Sequence, residues 1–64
     1  MTALITKPNI ADADGFYARL LAAHRGLTEA ESHAMNARLV LVLANHIGDA
    51  KTLDAVLTLA RDGA

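Results

Sequence analysis

Residues 27–49 read LTEAESHAMNARLVLVLANHIGD, and this stretch decides the fold. Thr28 precedes Glu31 by three residues, the spacing of a capping box in which the threonine hydroxyl accepts the glutamate's backbone N–H and the glutamate carboxylate reaches back. A helix therefore starts at 28. Gly48 suits the left-handed position that closes a helix, and Asp49 directly after it can cap another. The stretch predicts a helix over 28–47 and the start of a third at 49. Leu27 sits where a hydrophobic staple begins, but its partner position holds the polar Ser32.

Working outward, Pro8 biases Lys7 away from helical angles, so residues 1–11 read as an extended arm whose Leu4, Ile5 and Ile10 are expected to dock. Asp12 or Asp14 can start a first helix over about 12–25, ended at Arg25-Gly26. Ala13, Phe16, Tyr17, Leu20 and His24 fall on one face of it. In the third helix, over about 49–61, Leu53, Val56, Leu57 and Ala60 form the expected buried stripe, which leaves Leu59 without a place. Asp62 to Ala64 are expected to fray. The reading is a single all-α domain over 1–64, three helices and an N-terminal arm.

A wheel at about 100° per residue shows why the middle helix matters most. Its polar side shrinks to Glu31, Arg38 and Asn45, spaced by seven. One flank carries Met35, Leu39, Val42, Leu43 and His46; the other carries Ala30, Ala37, Val40, Leu41, Ala44 and Ile47. An ordinary amphipathic helix has a broader polar face, so this one is expected to lie centrally in an assembly. Ala30, Ala37 and Ala44 recur at one heptad position, which permits a close two-fold seam, although the same alanines could simply seat the first helix. The expected interface is Ala37, Leu41 and Ala44, or Leu39 and Leu43.

Composition points the same way. Among 64 residues there are 14 alanines and 10 leucines, no cysteine, one tyrosine and one phenylalanine, a helix-forming mixture. A chain this short buries only about 60% of its unfolded surface, so burial and ordering terms nearly cancel. With neither disulfide nor evident metal cluster, association is the remaining remedy, and a homodimer is its simplest closed form. The net charge of −1 argues against nucleic acid and anionic membranes. A loose helix-turn-helix likeness at the Gly48 corner fails because Asp54 and Asp62 answer Lys51 and Arg61. The longest apolar run, Leu39 to Ala44, is far shorter than a spanning helix, and no signal-peptide pattern opens the chain. A cytoplasmic setting is expected, and no cofactor is implied.

Three histidines invite a site. His33 lies four residues after Glu29, but a zinc helix needs two histidines around a glutamate, so a solvated pair is the expectation and no metal ligand is assigned. His24 and His46 end helices, where the dipole favours them. Asn45, His46 and Asp49 do gather an amide, an imidazole and a carboxylate, the alternative reading being a weak enzyme or ligand site there. Each of the three already has a role in ending or starting a helix, so no catalytic residue is assigned.

The segment from Asp14-Gly15-Phe16-Tyr17 to Leu20, with Leu27 to Ser32 and Leu39 to Asp49, resembles a bacterial family of short proteins catalogued only as a domain of unknown function. The resemblance brings no catalytic residue. Members often lie beside genes for flavin-dependent aromatic hydroxylases, which implies an accessory role to a metabolic enzyme. The functional expectation is thus a small helical protein-interaction module, self-associating or joined to such an enzyme.

Overall fold

A computed structural model describes residues 4–63 and consists of three helices: α1 (Ala13–Ala23), α2 (Glu29–Ile47) and α3 (Ala50–Asp62). The chain is all-α, as its alanine and leucine content requires. Met1 to Ala3 of the expected arm, and Ala64 of the expected frayed end, lie outside the described residues. Among the described residues no helix is long and apolar enough to cross a membrane.

Local chemistry sets each helix end. Asp12 caps α1 by accepting the Gly15 N–H at 3.0 Å. The helix stops two residues before the expected boundary, because the N–H groups of His24 and Arg25 turn to the carbonyls three residues back, Leu21 and Ala22, each at 3.1 Å. That tightening winds the last turn into a corner, which Gly26 continues at φ 77°. The capping box of α2 is complete, with Glu31 N–H donating to Thr28 Oγ1 at 3.2 Å and Thr28 N–H to Glu31 Oε1 at 2.9 Å. Gly48, at φ 75°, closes α2 and donates to the Ala44 carbonyl at 2.9 Å. Asp49 then caps α3 by accepting the N–H of Thr52 at 2.9 Å and its hydroxyl at 2.7 Å. At the far end α3 runs one residue past expectation, and Gly63 takes the left-handed closing position that the sequence reading assigned to a frayed tail.

The sides of the helices are another matter. Among the described residues none is buried, apolar or polar. The accessible surface is 5683 Å², against about 3,900 Å² for a folded monomer of 6.7 kDa. The radius of gyration is 13.6 Å, against about 11 Å for a closed domain of this length. Only α2 and α3 bring their backbones together, near the Gly48 corner, so the molecule is an open three-helix frame with extents of 42 × 25 × 23 Å.

That openness corrects several expectations. On α3 the half-buried residues are Thr52, Leu53, Ala55 and Leu59, while Val56, Leu57 and Ala60 are exposed. The two-residue link Gly48-Asp49 fixes how α3 leaves the corner, and the helix is rolled so that its most apolar stripe is only partly covered. On α1 only Leu20 and His24 of the expected face are half-buried, with Phe16 and Tyr17 exposed. In the arm Leu4 is half-buried, but Ile5 and Ile10 are exposed.

Candidate functional site

The surplus apolar surface gathers on α2. Four consecutive residues, Val40, Leu41, Val42 and Leu43, are exposed at 61, 69, 65 and 52%. Since successive helical residues point about 100° apart, four exposed neighbours mean that the helix is uncovered around most of its circumference. Two grooves and a ridge organise this surface.

One groove, of about 350 Å³, lies between α1 and α2. Its α1 wall is Phe16, Arg19, Leu20 and Ala23. Its α2 wall is Met35, Arg38, Leu39 and Val42. Both walls follow i, i+3, i+4, i+7, the spacing of one helical face. Past the Ala23 and Met35 end of these walls, His24 Nδ1 and Ser32 Oγ share a hydrogen bond of 2.9 Å, half-buried, tying the end of α1 to the first turn of α2. Because the linked ends touch and both helices line the groove beyond them, α1 and α2 run side by side in opposite senses. The second groove, of about 370 Å³, lies between α2 and α3 and is lined by Val40, Leu43, Ala44, Ile47, Leu53, Val56 and Leu57.

The five residues of the expected interface divide among these features. Leu39 lies in the α1–α2 groove, half-buried; Leu43 and Ala44 lie in the α2–α3 groove; Ala37 and Leu41 stand exposed on the ridge beside it. The alanines do not seat α1, which faces Met35, Leu39 and Val42 instead. Ala30 and Ala37 are exposed, leaving a shallow strip on which another helix can lie close.

Asn45, His46 and Asp49 are exposed at the α2–α3 corner and line neither of these two grooves. The Asp49 carboxylate is committed to capping α3. His33 Nε2 lies 3.5 Å from Glu29 Oε1, both side chains largely in water, the solvated pair its spacing implied. Hydrogen bonds from the Thr28 backbone and then its hydroxyl hold the Glu31 carboxyl below the ordinary glutamate value. The sequence reading missed the His24–Ser32 bond, having given both residues to helix ends. The signal was present in Ser32, a polar residue where a staple would place an apolar one.

The sequence over residues 4–62 matches a family described as "Protein of unknown function (DUF2783)", and the chain belongs to that family. No curated protein and no solved structure matches it.

Proposed function

We propose that this protein is a small helical association module that completes its missing core by pairing with a second copy of itself. The carrying observation is the excess of surface. Each copy exposes about 1,800 Å² more than a closed folded monomer of its mass would, apolar surface that a second copy can cover. The ridge of Ala37 and Leu41 with the adjoining α2–α3 groove is the face that supports this seam. A two-fold arrangement of antiparallel α2 helices would set the acidic first turn of one, with Glu29 and Glu31, near the last turn of the other, with His46. Its composition, without cysteine and near charge balance, supports a cytoplasmic setting.

The heteromeric form of the same reading is an accessory subunit of a metabolic enzyme, for which the family resemblance implies an aromatic-degradation hydroxylase in a bacterium. Analytical ultracentrifugation separates the two. A dimer at micromolar concentration is expected, and a folded, stable 6.7 kDa monomer across the accessible range would refute self-association and leave the heteromeric form.

A further inference from the structure

We infer that the groove between α1 and α2 is a docking site for an amphipathic helix of another protein, one whose apolar stripe is bordered by carboxylates on both sides. The inference rests on the reading of the chain as an association module and adds a second, separate face to it. The repeated spacing of the two walls places an arginine second in each: Arg19 three after Phe16 and four before Ala23, Arg38 three after Met35 and four before Val42. The groove thus carries one arginine on each wall, Arg19 from α1 and Arg38 from α2. Between them the floor is aliphatic and aromatic. Among the described residues neither guanidinium has a carboxylate within ion-pair distance, so two like charges flank an apolar trough with no counter-charge of their own.

A helix laid along such a trough buries its apolar stripe on the floor and sets its flanking side chains against the rims. Arginine on both rims selects Asp or Glu on both flanks, since its planar fork matches carboxylate geometry. A second copy does not supply that helix. On α3 Asp54 borders the apolar stripe on one side while Asp62 falls on the opposite face of the helix, and α1 beyond its cap offers Asp14 alone. Glu29 and Glu31 of α2 are engaged with His33 and Thr28. The groove also lies on the flank of α2 away from Ala37 and Ala44, so it stays open in the proposed dimer.

Fluorescence anisotropy of the full chain tests this with two labelled peptides roughly five helical turns long, sharing a leucine stripe but flanked by glutamates in one and lysines in the other. The glutamate peptide is expected to bind at least about ten-fold tighter in about 0.05 M salt, with the gap shrinking in about 0.5 M. Arg19→Glu with Arg38→Glu should reverse the order while ultracentrifugation shows an unchanged oligomeric state. Arg19→Gln with Arg38→Gln, which introduces no new charge, should abolish the discrimination with the helical circular dichroism intact. Equal affinity for the two peptides, or a preference that survives these variants, overturns the proposal. Dissociation of the dimer by the bound peptide overturns it too, because the groove would then belong to the self-pairing seam. Charge discrimination by a monomeric wild type would refute self-pairing and leave the docking site standing.

Discussion

Each helix end in this chain is closed by its own residues, whereas no helix side is covered well enough to bury a single one among the described residues. Asp12, Thr28 and Asp49 cap the three starts, and Gly48 and Gly63 close two of the finishes in the left-handed conformation. Ends are satisfied by groups three or four residues away, an interaction the chain makes alone. Sides need a surface opposite, and three helices totalling so few residues do not enclose one. The difference separates what makes this chain helical from what would make it stable, and perturbations of the two should behave differently.

The largest effect should come from a side. Leu41→Glu places a charge on the most exposed large apolar residue of α2 and is expected to convert the proposed dimer to monomer and lower the thermal midpoint by about 10 °C or more, because pairing and folding are linked. Arg38→Gln, on the polar stripe, should leave both unchanged. Sedimentation and thermal melts at several protein concentrations read the outcome. A Leu41→Glu chain that stays dimeric with an unchanged midpoint would erase the contrast between sides and ends.

Next comes an end. At Gly48 an added Cβ meets nothing closer than the Asn45 carbonyl at 3.7 Å, an ordinary contact, so Gly48→Ala tests the backbone alone. A left-handed alanine costs roughly 1–2 kcal/mol, or about 5–10 °C for a chain of this size. That loss should be the same at every protein concentration at which the proposed dimer is saturated, unlike the loss at Leu41. A substitution without effect would mean that the corner does not hold α2 and α3 at φ 75° in solution.

The same contrast explains what was legible in the sequence. Thr28 with Glu31, Gly48 and Asp49 announced their roles because each acts on backbone within four residues, and the boundaries of α2 and α3 fell within one residue of expectation. The uncovered circumference of α2 was legible for a related reason, since a wheel needs no tertiary information. Burial on α3 was not. Leu53 and Leu57 share a stripe, yet Leu57 is 66% exposed, because the direction in which α3 leaves the corner depends on the turn and not on the stripe. The His24–Ser32 bond spans eight positions across a corner, too far for a capping rule and too local for a packing argument. Of the candidate site, the ridge residues could be read from spacing, while the matched walls carrying Arg19 and Arg38 became visible only once α1 was laid against α2.

A smaller effect sharpens the account of the ends through pH. Folding holds the Glu31 carboxyl below its ordinary value, chiefly through the hydrogen bond from the Thr28 backbone. The unfolded chain therefore takes up this proton first as pH falls. The stabilisation Glu31 contributes is present above the ordinary glutamate range and is lost as pH drops through the lowered folded-state value. Glu31→Gln keeps the length and the capping acceptor but has no proton to take up. Thermal midpoints of the two proteins from about pH 7 to about pH 3 should converge toward the acid end. Parallel curves over that range would show that the ionised box adds nothing to the neutral one.

The smallest expected change lies at Gly15, where two end effects oppose each other. Inside a helix, alanine in place of glycine is worth about 1 kcal/mol. A Cβ at position 15, however, would collide with the Asp12 carboxylate that caps α1, and since that carboxylate is the free end of a side chain, it would swing away and surrender the cap. Losing an N-cap costs about 1 kcal/mol, so Gly15→Ala should change stability by no more than about 0.5 kcal/mol. In an Asp12→Ala background there is no cap to lose, and the same substitution should stabilise by most of the propensity gain. Urea unfolding of the four proteins in the double-mutant cycle measures the difference, with a coupling of about 1 kcal/mol expected between positions 12 and 15. An equal gain in both backgrounds would mean that the Asp12 carboxylate does not occupy the space above Gly15, and that the start of α1 is held by backbone conformation alone.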